Sequence, residues 1–317
     1  MKYYALVNSG LEETAAVEIK EKLSTATVVS PSVISFAAED APLLQSVRRL
    51  LIALGKYKNV DTVKLPVRFP WADYFSNECK IRIDVEGVKG QENRFAIAKI
   101  VAEKLFAILR TKKIEPSIDF KKPELLVIVF FNGKNYYLGI DKNIVEANSR
   151  EYRVFPHSAS FKGDLAYYFV RLSRCKLKEK LLVVFCKDGA IAIEAYFYAM
   201  TTIYAVDESR PNFTAARKNA KIANADVMVQ RYALDDLDLK YGKNYFDRVI
   251  IHVTHKDEDK INEIYYQTNY ILKPHGTVLL IGREQWNLSL SDNFTLLEMK
   301  LIRKGESVHK TWLLEKQ

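Results

Sequence analysis

The residues with the clearest chemistry lie in a predicted strand, turn, helix and strand between positions 181 and 207. The apolar run 181–185 is typical of a buried parallel strand. Asp207 closes the second strand, which is where an acid binds the ribose hydroxyls of nucleotide-type cofactors in doubly wound sheets. The turn 186–189 reads CKDG and has one glycine, whereas such cofactor loops usually have two or three. The stretch therefore predicts a nucleotide-type cofactor site with an unusual loop.

A second group of polar residues follows another predicted strand near the C-terminus. His252, Val253, Thr254 and His255 come directly after the apolar run that begins at Asp247. The two histidines could bind a polar substrate group or form part of a metal site. The alternative is that they are ordinary loop residues, and it is favoured because no third ligand is close in sequence. No metal is predicted, and Cys186 is interpreted as a small buried residue, because no base is placed beside it by spacing.

Length and composition suit a protein of two or three domains. The 317 residues are 48% hydrophobic and 27% charged, which is ordinary for a globular chain. No window has the apolar length of a membrane span, and the N-terminus does not resemble a signal peptide. The three cysteines have neither an even count nor a CxxC spacing, so reduced thiols and a cytoplasmic location are expected.

The net charge of +9 is unevenly distributed. Lys and Arg exceed Asp and Glu by six over residues 56–150, and the first 55 residues are slightly acidic. A basic central region predicts a polyanionic partner, and RNA is favoured over a membrane because no basic amphipathic helix stands out. The alternative is a set of solvated surface lysines.

The elements before residue 150 predict two α+β segments. Over 1–55 the pattern predicts strand, helix, strand and a second helix that is opened by Pro42 and closed by Gly55. After a connector, 80–86 reads as a strand, a long helix follows, and 125–140 forms two strands around Asn132-Gly133. Asn-Gly between apolar runs is a strong hairpin signal.

The central segment resembles a THUMP domain, an RNA-binding module of RNA-modifying enzymes. The similarity lies in a strand followed by a long helix and in IDFKKPELLVIVFFNGKNYYLGID at 118–141. The linker NSREYRVFPHSASFKGDLA at 148–166 is similar to the one that precedes the catalytic domain of THUMP-containing methyltransferases. In that family a ferredoxin-like domain comes first. The resemblance thus implies an ancillary ferredoxin-like domain at 1–55, a THUMP domain at 56–147 and a methyltransferase domain at 148–317.

The C-terminal part alternates strands and helices and ends in an antiparallel hairpin. The periodicity alone predicts a doubly wound α/β sheet. The resemblance adds a Rossmann-like class I methyltransferase fold, an overall α/β class with the α+β region in front, and S-adenosylmethionine as cofactor. The implied cofactor residues are Phe185, Cys186, Gly189, Asp207 and Glu208. The alternative for Asp207 is that it caps the helix that starts at Ser209.

Two motifs of that family are altered in this chain. The cofactor loop DPFCGSGTxxIEA is VVFCKDGAIAIEA at 183–195, with Lys187 in place of the first glycine. Glycine there lets the backbone approach the cofactor, whereas a lysine brings a cationic side chain to the methionine moiety and makes cofactor binding doubtful. The base-gripping Asn/Asp-Pro-Pro-Tyr/Phe motif should fall at 252–255, where neither proline is present.

The resemblance also implies tRNA as the partner, bound near the acceptor-stem end. Candidate phosphate contacts are basic residues around the THUMP helix, in the turn before the hairpin and in the linker. They are Lys89, Arg94, Lys99, Lys121, Lys122, Arg150 and Arg153.

Three functional hypotheses remain open at this point. The favoured one is a tRNA-binding THUMP protein whose methyltransferase domain has degenerated into a non-catalytic binder or a partner subunit. The second is an active methyltransferase that modifies the exocyclic N2 amine of a guanine in tRNA. The third and weakest is a protein–protein scaffold.

Overall fold

A computed structural model describes residues 1–253, 258–286, 288–304 and 307–317. The chain forms two compact units, Met1–Ala147 and Asn148–Gln317. Within the described residues, no helix is long and apolar enough to cross a membrane.

The N-terminal unit is an eight-stranded mixed sheet with helices packed on it. Its strands are β1 (Lys2–Leu6), β2 (Val28–Ser30), β3 (Val33–Ala37), β4 (Arg49–Tyr57), β5 (Lys80–Glu86), β6 (Ser117–Ile118), β7 (Leu125–Phe131) and β8 (Tyr136–Asp141). The helices are α1 (Glu12–Leu23) and α2 (Gln91–Arg110), and the strand order is β2-β3-β1-β4-β8-β7-β5-β6. Helix α2 buries Ile97, Val101, Leu105 and Leu109, an i, i+4 stripe that makes one face apolar.

The helix predicted from Pro42 to Gly55 is wrong. The first half of this range has no helix, and its second half lies in strand β4, which is hydrogen-bonded between β1 and β8. Its leucines are spaced like a helix face, but the run is short and continuously apolar, and such a run fits a buried strand equally well. Gly55 does not end a helix: it lies in β4 at a shift in register with β8. The predicted domain boundary at 55/56 falls inside this strand, and the division of residues 1–147 into two domains stays a prediction.

The predicted hairpin at Asn132-Gly133 is confirmed. Strands β7 and β8 pair antiparallel around it. Gly133 has φ +87°, and the side-chain Oδ1 of Asn132 accepts the backbone N–H groups of Lys134 and Asn135 at 3.1 and 2.9 Å. Asparagine and glycine are favoured in such turns because they tolerate the left-handed backbone and close the turn with a side-chain hydrogen bond.

The C-terminal unit is a seven-stranded sheet with helices between its strands. The strands are β9 (Lys180–Val184), β10 (Thr202–Val206), β11 (Val227–Gln230), β12 (Phe246–His252), β13 (Leu272–Arg283), β14 (Phe294–Lys304) and β15 (Ser307–Lys316). The helices are α3 (Gly163–Leu172), α4 (Ala190–Ala199), α5 (Arg210–Ile222), α6 (Leu237–Lys240) and α7 (Glu258–Ile271). The order is β11-β10-β9-β12-β13-β15-β14, and the strands run parallel except for β15, which is antiparallel to both of its neighbours. The predicted doubly wound sheet is therefore confirmed.

The strand order reverses between β9 and β12. The chain runs outward from β9 through β10 to β11 and then returns to β12 on the other side of β9. Ligands of open α/β sheets bind in the crevice at such a switch point, beyond the carboxyl ends of the strands. The loop after β9 and the end of β12 therefore meet at the expected site.

Candidate functional site

The loop after β9 has the backbone of a glycine-rich turn. Phe185, Lys187 and Gly189 have φ values of +53°, +54° and +82°, in the left-handed region that non-glycine residues rarely adopt. The Cys186 N–H donates to Val206 O at 3.1 Å, and the Gly189 N–H donates to Cys186 O at 2.8 Å. Lys187 thus occupies a position whose backbone suits the glycine of the related motif.

The Lys187 side chain points into the switch-point crevice and does not extend to solvent. Lys187 is 6% exposed, and its Nζ lies 2.6 Å from Nδ1 of His252 and 3.5 Å from the His252 carbonyl oxygen. An ammonium can only donate, so Nδ1 accepts when Lys187 is charged, and the imidazole then carries its proton on Nε2. The pair joins the cofactor loop to the end of β12.

An aromatic cluster holds His252 in place. The rings of Phe161 and His252 have centroids 4.4 Å apart, and His309 packs edge-on against both, at 5.0 and 5.9 Å. His252 itself is 7% exposed. This packing restricts the imidazole, so its contact with Lys187 is an ordered part of the unit.

The space left at the cofactor position is small. A cavity of about 10 Å³ remains there, and its lining includes Phe161, Phe185, Cys186, Lys187 and His252. That volume is about enough for one water molecule, whereas small-molecule sites usually measure about 300 Å³ or more. The residues present therefore do not fit the methionine moiety of S-adenosylmethionine while Lys187 keeps this conformation.

The carboxylate of Asp207 is engaged within the protein. It accepts the backbone N–H of Lys187 at 3.0 Å, the backbone N–H of Ser209 at 3.0 Å, and the amide of Asn212 at 3.2 and 3.3 Å. Asp207 is buried. These contacts tie the cofactor loop to the start of α5. They agree in part with the interpretation of Asp207 as a helix cap, because one donor is the backbone N–H of Ser209, the N-cap residue of α5. Neighbouring Glu208 is exposed.

The other predicted cofactor residues have structural roles in the loop. Gly189 is the N-cap of α4, and a Cβ built on it would lie 3.2 Å from Ala216 of α5, so a glycine lets the two helices approach. Cys186 is buried, and burial, with the nearby carboxylates of Asp207 and Asp188, raises the pKa of its thiol. Lys260 lies over the ring of Phe185, 4.6 Å from its centroid.

A larger cavity opens beside the end of β12. It measures about 490 Å³ and lies next to the carboxyl end of β13. Its lining residues are Ala159, His252, Val253, Gly282, Arg283, Glu284, Gln285, Ser307, Val308 and His309. His252 thus separates a nearly filled cavity from an open one. Thr254 and His255, the rest of the predicted base-gripping position, lie outside the described residues.

The two linker arginines are bound inside the C-terminal unit. The Arg153 guanidinium contacts Asp188 at 2.7 and 3.1 Å. Arg150 contacts Glu194 at 2.8 and 3.2 Å. Both arginine side chains are largely buried, and both carboxylates are fully buried. Both guanidinium groups are therefore engaged within the protein, and their role as RNA contacts stays a prediction.

The five remaining basic candidates lie on the surface of the N-terminal unit. Their side chains are all exposed, and they are Lys89, Arg94, Lys99, Lys121 and Lys122. The backbone N–H groups of Lys121 and Lys122 both donate to Asp119 Oδ1 at 2.9 Å. These hydrogen bonds lower the pKa of Asp119 and shape the turn.

Sequence reasoning missed Phe161 and His309, which complete the site. They come from the linker and from β15, far from both motifs in sequence, and only the strand order brings them to His252. No group of three or more His, Cys, Asp or Glu side chains that could hold a metal occurs within the described part of the chain.

Comparisons with known proteins agree with the fold of the chain. Residues 150–254 match the family described as RMKL-like, methyltransferase domain (UPF0020). TrmN from Thermus thermophilus superposes with a TM-score of 0.80 at 18% identity, covering 100% of this chain and 99% of that one. The C-terminal unit has the methyltransferase fold. No curated protein matches the chain.

Two further structures are also similar to this methyltransferase-fold protein over nearly its full length. SMU.472, complexed with SAH, has a TM-score of 0.74 at 14% identity and covers 100% of this chain and 98% of its own. A predicted N6-adenine-specific DNA methylase from Listeria monocytogenes has a TM-score of 0.70 at 14% identity, with coverages of 98% and 95%. At these identities the likeness establishes the fold, and the activity has to be argued from the site.

Proposed function

We propose that this protein binds tRNA and that its methyltransferase-fold domain does not transfer methyl groups. The observation that carries the proposal is the position of Lys187, whose buried side chain fills the cofactor crevice and contacts His252 at 2.6 Å. A non-catalytic RNA binder or a partner subunit of an enzyme is the role that follows.

Charge strengthens the steric argument. S-adenosylmethionine carries a positive sulfonium, and the Lys187 amine lies in the crevice that its methionine part would enter. Two like charges in a poorly solvated site repel strongly. For the cofactor to bind, Lys187 would have to leave His252 and turn toward solvent.

The RNA partner is supported by the exposed basic side chains of the N-terminal unit and by the resemblance of 56–147 to a THUMP domain. Lysines and arginines that contact phosphates position an RNA without reading its sequence. We place these contacts on Lys89, Arg94, Lys99, Lys121 and Lys122, near the acceptor-stem end of tRNA. The proposed setting is the cytoplasm, because all three cysteines are free thiols and thiols stay reduced there.

An active RNA methyltransferase acting on a guanine amine is the second candidate. The observation that favours it is the cavity of about 490 Å³ beside His252 and Val253, which is large enough for a base. It requires Lys187 to move aside when the cofactor binds.

Calorimetric titration of S-adenosylmethionine tests the proposal. We expect no heat of binding with the native chain and measurable binding with Lys187→Gly, because the glycine suits the local φ and vacates the crevice. Lys178→Gly is a matched control, since Lys178 also has a positive φ of 68° but is exposed. Binding by the native chain in the micromolar range would overturn the proposal and favour the active enzyme.

A tRNA-binding titration at several salt concentrations tests the RNA part. The paired variant Lys121→Ala with Lys122→Ala should weaken binding and reduce the slope of log K against log salt by about 0.9 for each phosphate that the protein no longer neutralises. Lys176→Ala with Lys178→Ala, two exposed lysines of the C-terminal unit, should change neither. Absence of any tRNA binding by the native chain would instead favour a scaffold.

A further inference from the structure

The two sheets end in strands of very different length. The outer strands β2, β6 and β11 have 3, 2 and 4 residues, whereas β14 has 11. An edge strand presents a row of backbone N–H and C=O groups that can pair with another strand, and proteins commonly keep such edges short. In the part of the chain that the structure describes, β14 is the one edge that is long enough to pair extensively.

Strand β14 also exposes large apolar side chains. Leu296, Leu297, Met299 and Leu301 are 39, 37, 51 and 56% exposed. Met299 and Leu301 lie on one face of the sheet, because successive side chains of a strand alternate between faces. An apolar, accessible edge of this kind marks a protein interface.

We propose that β14 pairs antiparallel with β14 of a second copy of this chain, so that the two seven-stranded sheets join into one. The twofold axis passes through Met299. In an isologous interface each surface must complement itself, and the charges along this strand satisfy that condition in this register.

The charges favour this register over the two adjacent ones. A twofold axis perpendicular to the sheet requires a residue to face its own copy, because paired residues share a face. An axis at Glu298 would oppose two carboxylates, and an axis at Lys300 would oppose two ammonium groups. An axis at Met299 places Glu298 opposite Lys300 of the second copy, twice, and places Leu297 opposite Leu301.

Local contacts already hold these charges in position. Glu298 contacts Lys300 at 2.8 Å and Arg174 at 3.5 Å, and these cations lower the pKa of its carboxyl. In the dimer each carboxylate would lie between the lysine of its own chain and that of the second copy. The one irregularity, a register shift between Leu296 and Glu298 against β15, leaves the strand regular from Glu298 onward.

The mass of the native chain in solution, measured by sedimentation equilibrium, tests the dimer. We expect twice the 36.5 kDa chain mass and dissociation to monomer for Met299→Lys, which brings two lysines together on the axis. Leu290→Lys is the matched control. Leu290 is 44% exposed, close to the 51% of Met299, but it lies outside β14, and this variant should stay dimeric.

Exchanging the charges of Glu298 and Lys300 tests the register. Recovery of the dimer in the double variant would also show that the single variants had not simply misfolded. Glu298→Lys alone and Lys300→Glu alone should each lose the dimer, and the two changes together should restore it. Met299→Cys should form a disulfide between copies under mild oxidation, since directly opposed residues lie within disulfide reach. A monomeric native chain would overturn the proposal. So would a dimer that survives Met299→Lys or fails to cross-link through Met299→Cys. Neither result bears on cofactor or tRNA binding.

Discussion

The contact between Lys187 and His252 should appear as a coupling free energy in a double-mutant cycle. His252→Phe keeps a ring against Phe161 and His309 but removes the Nδ1 that lies 2.6 Å from Lys187 Nζ. Lys187 and His252 are 6 and 7% exposed, so the contact is shielded from water. A buried hydrogen bond to a charged group contributes about 1.5–3 kcal/mol, and we expect His252→Phe to lower the free energy of unfolding by about that amount.

The same substitution should cost much less when it is made in Lys187→Gly, because the ammonium that needs the acceptor is then gone. Urea unfolding of the native chain, both single variants and the double variant gives the coupling directly. For a unit of this size each kcal/mol shifts Tm by about 2–4 °C. Effects of the two substitutions that add within about 0.5 kcal/mol would refute a direct contact and place Lys187 elsewhere in solution.

Three other outcomes follow from buried groups of the C-terminal unit. Arg153→Ala should cost about 3 kcal/mol of unfolding free energy, because it removes the cation from the buried Asp188; a loss under about 1 kcal/mol would contradict this role. Gly189→Ala should cost about 1–3 kcal/mol, measured in urea, because the residue has φ +82° and little room beside Ala216. Burial raises the pKa of Cys175 from 9.0 to about 12, so its stabilising contribution is full below pH 9 and is lost as the pH rises toward 12. Thermal melts should show Tm falling over that range, less steeply in Cys175→Ala.

Local patterns were sufficient to predict most of the C-terminal unit. Strand β9, helix α4 and strand β10 follow one another with short turns, and their apolar runs and single glycine determine the elements without reference to distant residues. Strand β4 was predicted as a helix because its type depends on partners in β1 and β8, which lie 43–49 and 79–88 residues away. Pairing of that kind leaves little trace in a short apolar run.

The site was predicted in outline but not in its contacts. The sequence has a lysine where the related motif has glycine, and the structure has that lysine in the crevice. The direction of the side chain depends on His252, 65 residues away, and a periodicity argument cannot pair two residues so far apart. The ion pairs of Arg150 and Arg153 were not predicted for the same reason, because their carboxylate partners Glu194 and Asp188 come from another part of the chain.

The two altered motifs meet in one contact, between Lys187 and His252. The Lys187 side chain fills the crevice between the loop after β9 and the end of β12 and contacts the His252 ring, so that a volume of only about 10 Å³ remains. This arrangement is stabilised by its own packing, because moving either side chain would leave the buried Lys187 amine or His252 Nδ1 without the other as its partner. The closed crevice is therefore best understood as a part of the folded domain, and Lys187→Gly is the single change that would open it.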